Sequence, residues 1–220
     1  MNTLSRKIGF WSSILMHISL VVWIICFVII AASSPLFVWT NFNDFLNYVN
    51  SNNQFFQNLA KIFVLLFGFF YLMLMNSFYD CSEESKKPAA RLSLLFALGF
   101  TILSSINYFI QISAVRLNLE KGVTVGLEMF LQANPLSAMN SIALLGWTLF
   151  LGLSSLFIIP TVSKNKDLKI NFFINSISCF LACISYLIQD ESLLFLFINI
   201  FVGGSLIVIS ISSIKYFSKK

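Results

Sequence analysis

The chain has 220 residues, of which 14 are Lys or Arg and 9 are Asp or Glu; charge fills only 10% of positions, and apolar residues fill 58%, with 25 Phe among them. A soluble domain carries roughly 25% charge, and one of this size could not cover so much apolar side chain with the polar surface that water demands. Composition therefore excludes a disordered chain, a nucleic-acid-binding module and a disulfide-stapled secreted domain, and it points to a single integral membrane domain over residues 1–220.

The hydrocarbon core of a bilayer is about 30 Å thick, and ~20 residues of helix cross it. Six charge-free apolar runs of that order follow one another, approximately at 8–32, 62–79, 92–115, 136–159, 170–188 and 193–214. They are continuous rather than alternating, which predicts helices and not barrel strands. The expected fold is all-α, a polytopic transmembrane bundle of six helices.

The first run follows Arg6 and Lys7 and ends at Ala31, Ala32, Ser33 and Ser34, a pattern that imitates a signal peptide. Its apolar stretch is too long for a signal h-region, so a retained helix is predicted. It holds His17, whose neutral imidazole suits a hydrogen bond to a neighbouring helix. In the connection that follows, Phe42, Phe45, Leu46 and Val49 recur at helical spacing opposite Asn43, Asp44, Asn47 and Asn50. That pattern predicts an amphipathic helix lying in the interface beside Trp39. In the third run, Ser104, Asn107, Tyr108 and Gln111 form one polar stripe, which should face the bundle. The next connection carries Leu127, Phe130 and Leu131 among Glu120, Glu128 and Gln132, so it should return to the membrane surface. Asn134 before Pro135 reads as a helix N-cap, and Pro160 as a stop. Small or polar seams follow: Thr148, Gly152 and Ser155; then Asn171, Asn175, Ser178, Ala182 and Ser185; then Asn199 with Gly203. Such seams let helices approach closely and hydrogen-bond in lipid.

Orientation follows from the basic flanks. Arg6, Lys7, Lys86, Lys87, Arg91, Lys164, Lys166, Lys169, Lys215, Lys219 and Lys220 fall on one side, and only Lys61, Arg116 and Lys121 on the other. The asymmetry predicts both termini in the cytoplasm, with residues 34–57 and 117–134 outside. The net charge of +5 is thus a topology signal, and the partners expected are membrane lipids, including anionic headgroups on the cytoplasmic side, with no nucleic acid.

Chemistry is sparse. One His and four Cys, at positions 26, 81, 179 and 183, supply no metal-ligand spacing, so no metal and no cofactor are expected. No phosphate-binding glycine loop, HExxH or GxSxG motif is present. No carboxylate interrupts the six runs, which argues against a proton-coupled pump. The candidate binding residues are the outer polar set Asn107, Gln111, Arg116, Glu120, Glu128, Gln132 and Asn134, which could gather into an outer-facing pocket for a small molecule or lipid. In the plainer reading, Arg116 snorkels and pairs with Glu120 while the amides join helices. The competing functional class is a membrane-embedded enzyme acting on a lipid, with Arg116 on a headgroup phosphate and Glu120 or Glu128 as acid or base.

The segments NYFIQISAVR, at 107–116, and LEMFLQANPLSAMNSIALLGWTLFLGLSSLFIIP, at 127–160, resemble an uncharacterised family of bacterial multi-pass membrane proteins of this length. The likeness covers about a fifth of the chain. It implies a six-helix protein of a bacterial cytoplasmic membrane and brings no activity with it. Family members with a Glu before the LG step differ from this chain, which has Ile142, Ala143 and Leu144 there.

Overall fold

A computed structural model of the chain describes residues 3–34 and 36–218; Lys219 and Lys220, counted above among the basic residues, lie outside them. No strand occurs among the described residues. In lipid no water is available to satisfy an open backbone, so each crossing closes its own hydrogen bonds as a helix.

The elements are α1 (Thr3–Ser33), α2 (Phe42–Ser51), α3 (Phe55–Asp80), α4 (Lys87–Ile110), α5 (Arg116–Glu120), α6 (Ala138–Leu145), α7 (Leu151–Ile158), α8 (Lys166–Leu187), α9 (Glu191–Phe195) and α10 (Gly203–Ser218). Wider π-helical turns at Gln111–Val115, Gly146–Phe150 and Leu196–Val202 join α4 to α5, α6 to α7 and α9 to α10. Six helices result that are long and apolar enough to cross a membrane: Thr3–Ser33, Phe55–Asp80, Glu84–Glu120, Ala138–Ile158, Lys166–Leu187 and Glu191–Ser218. They contain the six apolar runs but extend past several of them, because a helix continues into the polar interface. The consequence is greatest in α3, which starts at Phe55, so that Lys61 sits inside the helix instead of flanking it.

The caps follow local chemistry. The side chains of Asn41, Ser137, Asn165 and Asp190 each accept a hydrogen bond from the backbone N–H three residues on, at the starts of α2, α6, α8 and α9. The expected cap at Asn134 is corrected: Ser137 caps α6, while Asn134 Oδ1 accepts from the Leu136 N–H and closes a turn around Pro135.

The six spans form a ring in chain order, α1 on α3, α3 on α4, α4 on α6 and α7, α7 on α8, α8 on α10, and α10 back on α1. Both ends of the described chain meet at one end of the ring. There the Arg6 guanidinium donates to the Phe217 carbonyl at 3.3 Å, and the Ser5 hydroxyl donates to Asp80 at 2.9 Å. Lys164 in the turn after α7 pairs with Glu83 in the turn after α3 at 2.7 Å. This is the terminal end; α2 and the turns near residues 121–137 and 188–190 form the distal end.

The terminal half is solidly filled. Phe78, Phe172, Leu168, Ile158 and Phe217 are buried, and the ring of Phe78 lies 5.0 Å from that of Phe217 and 6.1 Å from that of Phe172. Polar groups there join helices: His17 Nδ1 and Ser210 Oγ stand 2.9 Å apart, and Asn175 accepts from Ser155 at 2.8 Å while donating to Ser205 at 2.9 Å. At mid-depth Tyr71 meets Ser154 at 2.9 Å, Ser93 donates to the Ser154 carbonyl at 2.7 Å, and Thr101 donates to the Gly68 carbonyl at 2.9 Å. The outward face is apolar, with Ile102, Phe109, Ile184 and Ile200 exposed, as lipid solvation allows.

Toward the distal end the ring loosens. The first span meets the sixth through α10, whereas α9 and the π turn above it pack on α8. A seam between the first and sixth spans thereby opens in the distal half.

Candidate functional site

The open half encloses a cavity of about 580 Å³. Its apolar wall includes Trp23, Phe27 and Ile30 of α1, Phe37 and Trp39 of the following segment, and Leu194, Phe195 and Ile198 of the sixth span. Its polar wall is made by Gln57 and Lys61 of α3, Tyr108 of α4, Gln132 of the roofing turn, Asn140 of α6, Trp147, Asn199 and Glu191. Volume and composition are those of a small-molecule site, a concave apolar surface with a few convergent polar groups.

Local structure explains each wall. Gln57, Ala60, Lys61, Val64 and Phe67 all line the cavity, and their 3- and 4-residue spacing gives α3 one inward face. The opposite face of that helix carries Phe55, Ile62, Phe69 and Met73, all exposed. In the fourth span the π turn at Gly146–Phe150 carries Trp147, whose indole stacks on Phe67 at 5.8 Å with the planes 7° apart. In the sixth span Ile198 and Asn199 belong to the π turn Leu196–Val202. Such turns widen a helix and recur at functional sites. The roof is held by aromatic packing: Trp39, Phe42 and Phe45 pack against the buried Leu127 and Leu131.

The polar groups are incompletely matched. Gln57 Oε1 and Trp147 Nε1 are buried without a hydrogen bond. The Tyr108 hydroxyl lies near the side chains of Gln132 and Trp147. Lys61 makes no ion pair or hydrogen bond among the described residues; the ion pairs found there involve Glu83, Glu84 and Glu120 instead. Glu191, the other charged residue of the wall, is exposed in the first turn of α9. A polar cleft of about 340 Å³ at the distal surface shares Ile30 and Gln57 with the cavity, so Gln57 stands at the boundary between them.

The seven outer residues singled out from the sequence are divided by the fold. The polar stripe faces inward, with Ser104, Asn107, Tyr108 and Gln111 all buried. Gln111 clamps the roofing turn: its Nε2 donates to the Phe130 carbonyl at 2.6 Å, and its Oε1 accepts from the Gln132 N–H at 3.3 Å. Asn134 Nδ2 donates to the Glu128 carbonyl at 3.3 Å, which holds the same turn, while the Glu128 side chain is exposed. Asn107 is fully buried, and neither atom of its amide is hydrogen-bonded. Arg116 pairs with Glu120 at 2.8 Å and donates from Nε to the Ile112 carbonyl at 2.9 Å, all at the exposed surface. Gln132 alone of the seven lines the cavity.

From the sequence Lys61 falls in a flank, and Tyr108 belongs to the inward stripe but to no site. A usable signal existed for Lys61, one of three cations on the sparsely charged side and four residues after Gln57. Among the described residues no cluster of three His, Cys, Asp or Glu could hold a metal ion. No family model matches the chain, and no curated protein or solved structure matches it either.

Proposed function

We propose that this multi-pass membrane protein binds an amphiphilic small molecule or lipid in the distal cavity and acts in transport, sensing or as an accessory subunit, without catalysing a reaction. The observation that carries the reading is the cavity of about 580 Å³, walled by aromatic and aliphatic side chains with one polar side, in the half where the first and sixth spans part. An amphiphile dissolved in the leaflet reaches such a seam without leaving lipid. The reading includes both termini in the cytoplasm, supported by the basic flanks, so that the cavity belongs to the outer half. It also includes a bacterial cytoplasmic membrane, supported by the resemblance at 107–116 and 127–160. Arg116 spends its charge on Glu120 and on a backbone carbonyl, which supports interfacial anchoring over service to a substrate.

The test is photolabelling of the purified chain in nanodiscs with a diazirine-bearing alkyl amphiphile, followed by peptide mapping. Adducts should concentrate on the cavity-lining residues of α1 and of the sixth span, and Ala143→Phe, which fills the cavity from its α6 wall, should remove them. Labelling spread evenly over the lipid-facing residues and untouched by Ala143→Phe would sink the proposal. Orientation has its own check: a cysteine placed at Asn50 should react with an impermeant maleimide from outside the cell.

A further inference from the structure

Resting on the cavity reading above, we infer that Lys61 is the recognition residue of the site and that the ligand carries an anionic head, a carboxylate or a phosphate, on a single apolar chain. Lys61 lies six residues into α3, about 9 Å along the helix from its start. It occupies the middle of the inward face defined by Gln57, Ala60, Val64 and Phe67, a half-buried position on the cavity wall. Its neighbour Ile62 is 40% exposed on the lipid side, whereas Lys61 is half-buried and lines the cavity.

A cation held in a membrane protein is costly and is usually paired. The described residues offer Lys61 no partner: no carboxylate lies within 4.0 Å of it, and no hydrogen bond reaches its ammonium. The charged groups that line the cavity are Lys61 and Glu191, and Glu191 is exposed. The polar wall also supplies donors without full acceptors. The indole N–H of Trp147 is buried with the Tyr108 hydroxyl beside it, the Asn140 amide donates to the Pro135 carbonyl at 3.3 Å and keeps a second N–H, and the Gln132 amide lines the same space. One ammonium with neutral N–H donors lining the same cavity is the complement of an anion, since charge-assisted hydrogen bonds are the strong ones. The remaining wall, Trp23, Phe27, Leu194, Phe195 and Ile198, offers no polar partner except through the Trp23 indole and suits a hydrocarbon chain. The volume is that of one chain with its head, within the usual range of roughly 300–1,000 Å³ for small-molecule sites.

The experiment uses the full chain in phosphatidylcholine nanodiscs and three probes that share a twelve-carbon skeleton: dodecyl phosphate, dodecanoate and dodecanol. Binding is read from tryptophan fluorescence, because Trp23, Trp39 and Trp147 line the cavity. The wild type should bind one or both anionic probes about tenfold or more tightly over dodecanol, as expected for one charge-assisted contact. Whichever anion binds more tightly identifies the head as phosphate or carboxylate. Lys61→Met should bind all three probes alike, with dodecanol affinity unchanged, and Lys61→Arg should restore the preference. A preference for anions that survives in Lys61→Met, or a wild type that binds dodecanol as well as the anions, overturns the role of Lys61 while leaving the cavity reading intact. A wild type that binds none of the three overturns both.

Discussion

The terminal and distal halves of the bundle are built from the same six spans and packed by opposite rules. In the terminal half Phe78, Phe172 and Phe217 meet on the axis, and small residues bring backbones together; at Gly152 of α7 a Cβ would come within 2.9 Å of the Cys179 Cβ on α8. Hydrogen bonds cross between helices there at Asn175 and at His17 with Ser210, while the hydroxyls of Ser12, Thr161, Ser176 and Ser213 are buried without a partner. In the distal half, large aromatics line an open cavity, and Gln57 Oε1 and the Lys61 ammonium present polar groups that nothing in the described protein satisfies. Lipid supplies no hydrophobic drive between helices, so stability must come from close approach and interhelical hydrogen bonds. A chain that concentrates both at one end of a ring can leave the other end open. Stability and capacity for a ligand are thereby assigned to different halves.

The division is sharpest where a change should damage one half only. Gly152→Val drives two methyl groups into Cys179 and Phe180 across the α7 and α8 contact and should cost about 2 kcal/mol, the usual scale of overpacking. Steric-trap unfolding would measure it, and the amphiphile affinity of the folded fraction should not change. Asn175→Ala removes the bridge that joins Ser155 of α7 to Ser205 of α10 through α8. The loss should be about 1 kcal/mol, in line with interhelical hydrogen bonds in bilayers. Ala143→Phe, in the open half, should move stability by less than about 1 kcal/mol, because the new ring enters existing space, yet it should abolish ligand binding. If the terminal variants weakened binding as much as Ala143→Phe does, the two halves would be one cooperative unit and the comparison would fail.

The six crossings were legible because lipid imposes a single rule, that backbone polar groups be satisfied locally, and a charge-free run of helix length states it directly. The amphipathic pattern at Phe42, Phe45, Leu46 and Val49 was legible for the same reason, and it appears as α2. The inward stripe of the third span and the seam through Asn175 followed from periodicity alone. What periodicity could not supply was the helix start before a charged residue: the rule that breaks a span at a charge put Lys61 outside, while the fold carries α3 back to Phe55 and turns Lys61 inward. The π turns were equally hidden, since Leu196–Val202 is as apolar as its flanks, and a widened turn leaves no mark in composition. Gln111 was legible as polar and inward, but not as a clamp on a turn about twenty residues later, because its partners are backbone groups at Phe130 and Gln132.

The smallest expected effect tests whether the terminal end owes anything to charge. Glu83 accepts from Lys164 at 2.7 Å and pairs with Lys86 at 3.1 Å, so one carboxylate ties the turn after α3 to the turn after α7. These partners, Lys164 foremost, hold the Glu83 carboxyl below its ordinary range, and Glu83 in turn raises the Lys164 ammonium above its own. A carboxylate whose folded value is depressed stabilises the protein at all pH values above its unfolded value, near 4.3, and loses that contribution as pH falls through the folded value. A raised ammonium contributes below its unfolded value, near 10.4, and loses its contribution as pH rises through the folded one. The link is therefore complete between roughly pH 4.3 and 10.4. Both side chains are exposed, and solvent and salt screen such pairs until little remains. Glu83→Gln should lower the thermal midpoint slightly at pH 7 and low salt, and the difference from wild type should vanish as pH falls through the folded value and in high salt. A deficit that persisted unchanged in acid, once the folded carboxylate is protonated, or in high salt would mean that the carboxamide disturbs the packing of the turn, and the terminal end would then be held by shape alone.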